Sequence, residues 1–224
     1  MKLFVIRIFS FLFLAALLNS CAPTRAVLPL CYKENTISAS LGGPMIQYGK
    51  IITPVPYTTI TYSRGITDST TFFASIHPTA ALYGNLQMEI GLNKYLVNND
   101  SAKYAVTVAP TLNILIRDSL RRVYPQIDVN FIKRNPLNEN YYYGGICNWF
   151  EPATRKINGE KQSNIWFPSP QVGYVWNTKK GLMFQAEFKY LVPFRRNDTG
   201  PVDYIKPIIP YGGIGIYFGA SYKF

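Results

Sequence analysis

Charge is scarce in this sequence, and acids are scarcer than bases. Only 16% of the 224 residues are charged, against roughly 25% in an average soluble domain. Twelve Asp and Glu stand against 23 Lys and Arg, a formal net charge of +11. There is one histidine, and the three cysteines include no CxxC pair, which excludes a structural zinc site and a disulfide framework. Past the N-terminus no apolar run approaches the roughly 18–20 residues of a membrane-spanning helix. Sixteen Gly and 16 Pro count against a helical bundle, and 15% aromatics count against disorder. The bases are dispersed, with no recognition helix and no basic motif interleaved with aromatics, so nucleic acid is not an expected partner. What remains is an all-β protein whose apolar surface is not confined to an interior.

What the sequence does have is a side-chain period of two. Leu86, Met88, Ile90 and Leu92 alternate with Gln87, Glu89, Gly91 and Asn93. Leu182, Phe184, Ala186, Phe188 and Tyr190 alternate with Met183, Gln185, Glu187 and Lys189. The same split runs from Val106, Val123 and Ile214, with weaker copies near Asn35, Tyr57, Thr70, Tyr141 and Ile165. Such a period means β-strand with one apolar face, and the count predicts about ten strands. The polar faces hold Gly, Thr, Ser, Asn and Gln more than charge, and aromatics gather toward strand ends (Tyr141 to Tyr143, Trp149, Trp166, Trp176). A soluble lipocalin-like barrel would carry its charges outside. The expected fold is therefore an antiparallel up-and-down transmembrane β-barrel, apolar side out.

Both ends carry motifs. Lys2 and Arg7 precede a mostly apolar stretch over 8–18, the length of a signal-peptide core. It runs into Leu18-Asn19-Ser20-Cys21, which resembles the lipobox of bacterial lipoproteins. The resemblance implies a signal peptide over 1–20, acylation of Cys21, a lipid-anchored tether over 21–34 and a barrel over 35–224. At the other end, Tyr217-x-Gly219-x-x-Tyr222-x-Phe224 resembles the insertion signal of outer-membrane barrels, with Gly219, Tyr222 and Phe224 as its matching positions. Together the ends are similar to small outer-membrane β-barrel lipoproteins of the uncharacterised Bacteroidetes type. That resemblance implies an outer-membrane location, with membrane lipids and the barrel-assembly and lipoprotein-processing machineries as partners. It also implies that connections at 66–69, 97–103 and 177–181 face the periplasm, and the long ones at 151–164 and 192–207 the exterior. No oligomeric state follows, and spacing neither requires nor excludes a Cys31–Cys147 bridge.

Chemistry has few candidates. Gln87, Glu89, Asp128, Gln185, Glu187 and Lys189 are expected to face the lumen, with their charges paired because a lone buried charge is costly. Ten strands imply a narrow or closed lumen. His77, Thr79 and Glu89 form a weak hydrolase set, with imidazole as base and carboxylate orienting it. A similar set exists in some outer-membrane lipid A deacylases, where the hydroxyl is a serine. The preferred expectation is that His77-Pro78 ends a strand and bonds locally. Arg117, Arg121, Arg122, Arg195 and Arg196 are expected in solvated outer loops. No cofactor or metal is expected. The reading is a non-enzymatic envelope barrel, with a narrow solute pore and a His77-based acyl hydrolase as alternatives.

Changing Cys21 to Ser should abolish incorporation of labelled palmitate and leave the signal segment uncut. Unchanged labelling of the variant would overturn the lipobox reading.

Overall fold

The computed structural model describes residues 25–48, 51–117, 120–154, 161, 165–178, 180–196, 205–206 and 210–224; the expected signal peptide and Cys21 lie outside these residues. The alternating segments form strands in chain order: β1 (Asn35–Tyr48), β2 (Ile51–Pro54), β3 (Tyr57–Thr67), β4 (Thr70–Ile76), a one-turn helix α1 (Pro78–Leu82), β5 (Leu86–Asn99), β6 (Tyr104–Arg117), β7 (Leu120–Arg134), β8 (Tyr141–Phe150), β9 (Trp166–Asn177), β10 (Leu182–Arg196) and β11 (Tyr211–Lys223). Each long strand pairs antiparallel with the next. β11 returns to β1 with Ile37 opposite Tyr222 and Leu41 opposite Phe218, closing the sheet. The short β2 extends only β1. The result is a closed antiparallel barrel of ten strands, as the periodicity predicts.

Four tight connections (68–69, 100–103, 135–140 and 178–181) lie at one end, with the start of β1 and the end of β11. We call this the turn end and the opposite one the loop end. Asparagines build the turns: Asn99, Asn135 and Asn138 each accept a backbone N–H two or three residues on, which is what this side chain does best outside regular structure.

The two faces separate cleanly. Ile37, Leu41, Ile90, Leu112, Ile127, Phe131, Ile146, Val172 and Phe184 are exposed on the outer wall, while Thr61, Asn113, Gln126, Asn130, Gln171 and Glu187 are buried inside. An even count of strands with polar residues within and an aliphatic belt without is the pattern of a barrel solvated by lipid.

Aromatic rings brace the inner wall by lying against glycines. A Cβ on Gly91 would sit 2.5 Å from the Phe73 ring, and one on Gly173 2.4 Å from that of Tyr143. Phe73 pairs across with Gly91 and Tyr143 with Gly173. Tyr217 likewise lies over Gly215 and is fully buried. At Gly91 and Gly173 the missing side chain is the space into which the neighbouring strand's ring folds, and at Gly215 it is filled by the ring two residues on in the same strand.

The start of the described chain departs from the sequence reading. Residues 25–30, expected to belong to a tether, run inside the barrel from its turn end. Val27 packs with Ala105, Ile132, Tyr141, Tyr143 and Val175. Asn93 donates to the Ala26 carbonyl, Gln185 to the Arg25 carbonyl, and the Leu30 N–H donates to Thr71 Oγ1. The segment leaves over Gly65, where a Cβ would lie 1.9 Å from the Cys31 carbonyl oxygen. The polar inner wall supplies donors and acceptors for an otherwise unpaired backbone, and that demand outweighs what a Pro-containing stretch suggests alone.

The exposed rings of Phe184, Phe188 and Phe218 (47%, 40% and 58%) give a direct test of the outer face. Replacing one with Arg should cost about 2–4 kcal/mol of folding stability in lipid when it lies near the bilayer midplane, read as a lowered denaturant midpoint in vesicles. An unchanged midpoint would show that this face does not meet lipid.

Candidate functional site in the lumen

The barrel interior has three layers. Nearest the turn end lies the apolar cluster around Val27. Nearest the loop end, Tyr124, Trp149 and Phe167 pack together with Leu115 and Val192. Between them is a band of buried charge. Period-two alternation aims its members inward from β5, β7 and β10, and the N-terminal segment adds one more.

That addition is Arg25. Its Nη2 lies 3.0 Å from Glu89 Oε2 and its Nη1 3.8 Å from Asp128 Oδ2. Nη1 also donates to Thr111 Oγ1 at 2.8 Å, and the guanidinium carbon stands 5.1 Å from the Phe73 ring centre. Asp128 accepts from Gln126 Nε2 at 2.8 Å, whose own oxygen accepts from Asn113 Nδ2 at 3.1 Å. Across the lumen, Glu187 pairs with Lys189 at 3.2 Å and accepts the Tyr143 hydroxyl at 2.6 Å; Gln185 donates to that hydroxyl at 2.6 Å. The Lys189 ammonium sits 5.1 Å from the Tyr217 ring centre. Side chains of all five charged residues are at least nine-tenths buried.

Of the residues singled out from sequence, Glu89, Asp128, Gln185, Glu187 and Lys189 meet in this band. Gln87 is half-buried nearer the loop end. Arg25 escaped notice because nothing in a short stretch before the first strand signals that it folds back inside. Gly219 is half-buried, and Tyr222 and Phe224 stack on the outer wall at the turn end with ring centres 6.3 Å apart.

The His77 set is half assembled. His77 Nε2 lies 3.1 Å from Glu89 Oε1, so the imidazole–carboxylate pair exists, and the expectation of purely local bonding is corrected. Thr79 is not its hydroxyl. Pro78 ends β4 and begins α1, which turns Thr79 toward Thr58 of β3, whose N–H it accepts at 3.0 Å. The hydroxyl beside the imidazole is that of Thr59, 3.4 Å from Nδ1, placed there by cross-strand register rather than by sequence spacing. The His77 side chain has no exposed surface, and Glu89 already faces Arg25.

The outer arginines also divide. Arg122 pairs with Glu151 at 3.6 Å, and Arg195 stands over the Phe167 ring at 5.6 Å, so both turn toward the loop-end aromatic layer. Arg121, Arg195 and Arg196 are exposed, and Arg117 and Arg122 are half-buried. Cys31 is exposed at the turn end and Cys147 is buried inside; both are free thiols.

At the turn-end rim, Glu34 Oε1 accepts from Lys223 Nζ at 3.1 Å, and its Oε2 accepts the Cys31 N–H at 3.0 Å, joining the entering segment to the last strand. Partial burial disfavours the charged form of Glu34, but Lys223 and the Cys31 N–H outweigh it and hold the carboxyl below its ordinary 4.5.

No protein-family model matches the sequence, and no curated protein is significantly similar to it. Among solved structures, the chain is similar to the Yersinia pestis outer membrane protein Ail in a phospholipid nanodisc (12% identity, TM-score 0.41, 86% of this chain and 99% of that one). It is also similar to the translocator domain of the autotransporter NalP from Neisseria meningitidis (11%, 0.43, 87% and 90%) and to OprG from Pseudomonas aeruginosa (10%, 0.31, 89% and 99%). These are loose likenesses of barrel to barrel, and the character of each face rests on this chain's own side chains.

Two measurements follow from the geometry. Glu89→Gln leaves the Arg25 cation without its nearest countercharge and should cost about 3–5 kcal/mol. His77→Ala removes one hydrogen-bonding partner and should cost about 1–3 kcal/mol. Denaturant midpoints in one detergent will rank them, and the reverse order would contradict the network. Because the Glu34 carboxyl is depressed, its stabilising contribution is complete above the ordinary carboxylate value and is lost as pH falls through the folded one. In Lys223→Ala, an NMR titration of Glu34 should move upward.

Proposed function

We propose that this chain is a bacterial outer-membrane β-barrel, additionally held by a lipid on Cys21, that serves as a sealed, non-enzymatic component of the cell envelope. The observation that carries the reading is the inversion of its two faces: an aliphatic and aromatic outer wall around a polar interior into which residues 25–30 fold. An outer wall of this kind has no stable state in water, whereas in lipid its closed backbone ladder leaves no edge unsatisfied. Leu18-Asn19-Ser20-Cys21 and the Gly219, Tyr222, Phe224 set support export, acylation and insertion, with membrane lipids and the corresponding machineries as partners.

The pore alternative is weaker, because apolar layers occupy the lumen toward both ends with buried charge pairs between. The hydrolase alternative draws on the His77–Glu89 contact. It is disfavoured because the imidazole has no exposed surface and points into the lumen, away from any acyl chain outside. A gel of the membrane fraction, with and without boiling, tests the main reading. The expected result is a compact, faster band in the unheated lane that resists extraction by carbonate. A single band released by carbonate would overturn it. Purified barrel that deacylates a lipid, and stops doing so in His77→Ala, would replace it with the hydrolase.

A further inference from the structure

Arg25 is held like a ligand. Its four partners, Phe73, Glu89, Thr111 and Asp128, stand on β4, β5, β6 and β7, four consecutive strands of one rigid wall. Arg25 itself arrives on a segment that joins the wall covalently only where β1 begins. Two carboxylates, a hydroxyl and a ring face suit a planar, delocalised cation, which can bond at its edges and stack on its face at once. A lysine ammonium can lie near a ring and one carboxylate, as Lys189 does, but it lacks the flat fork that spans two carboxylates while its face rests on a ring.

We propose that Phe73, Glu89, Thr111 and Asp128 form a luminal site for guanidinium-type cations, that Arg25 is its tethered occupant, and that residues 25–34 are thereby a removable stopper. Unseating the stopper leaves a lumen that admits cations and refuses anions. Among the nine-tenths-buried charged side chains described, Glu89, Asp128 and Glu187 stand against Arg25 and Lys189. Without Arg25 a single cation faces three carboxylates, an excess relieved by proton uptake or by drawing in water and positive counterions. The seat at the turn end is Gly65. Any side chain there takes the space of the Cys31 carbonyl, so a larger residue lifts the segment without touching the cation site. The site is a property of the barrel interior and does not depend on where the barrel resides.

Cys147 reports on this directly, since it is buried and stands opposite Asp128 in the β7–β8 register. The experiment uses full-length protein in detergent, with Cys31→Ser to silence the exposed thiol and peptide mass spectrometry to read Cys147 apart from Cys21. Cys147 labelling is followed with a trimethylammonium methanethiosulfonate and with its sulfonate counterpart. With Arg25 present, both reagents should react slowly. Arg25→Ala and, separately, Gly65→Val should speed the cationic reagent at least tenfold more than the anionic one. Methylguanidinium should slow that reaction again where equal sodium does not. Heat-modifiable migration shows which variants are folded; if Arg25→Ala is not, Gly65→Val carries the test. Folded variants that label as slowly as the parent would refute the stopper. Equal acceleration of both reagents, or protection by sodium as strong as by methylguanidinium, would refute the guanidinium site.

Discussion

A buried guanidinium between two carboxylates organises the inside of this barrel. Ions removed from water lose several kcal/mol each unless their partners are close and well aligned. Glu89 and Asp128 sit on strands separated by β6, aimed inward by alternation alone. Buried as anions, both need a cation close by, and β6 between them offers the neutral Thr111. Arg25 supplies that cation from outside the sheet, so the stretch before β1 becomes part of the fold. Its entry then brings Val27 into the turn-end apolar cluster and lays the Cys31 carbonyl over Gly65.

The same logic explains the rest of the interior. A polar lumen lined by long side chains would be loose, because flexible residues pack poorly. Here the rings of Phe73, Tyr143 and Tyr217 fold against glycines and act as rigid struts. Two of them also serve the charges: Phe73 faces Arg25 and Tyr217 faces Lys189. Tyr143 contributes its hydroxyl to Glu187 instead. At the loop end, Val192 adopts a left-handed backbone (φ 44°), an unfavourable conformation for a β-branched residue. The β10 register is interrupted between Leu191 and Arg196, and Val192 packs beside Tyr124, Trp149 and Phe167.

His77 marks where catalysis and structure could be confused. An imidazole 3.1 Å from a carboxylate, with a threonine hydroxyl on its other nitrogen, has the composition of a catalytic set. Its setting differs from one: the carboxylate is shared with a guanidinium, and no surface of the ring is open to a substrate. In this barrel the pair links α1 and the end of β4 to the charged band.

Closure, strand number and the assignment of faces were legible in the sequence. Period-two alternation is a local property, and Phe184 or Glu187 carries its orientation in its own neighbours. Inward charge at Glu89, Asp128, Glu187 and Lys189 was legible for the same reason. The partners of those charges were not. Thr59 rather than Thr79 beside His77, Arg25 between Glu89 and Asp128, and Tyr143 under Glu187 arise from register between strands and from a segment folded back through the turn end. Sequence spacing decides which way a side chain points; only closing the sheet decides what it meets there, because pairing energies in a dry lumen depend on distances across the barrel that no local pattern encodes.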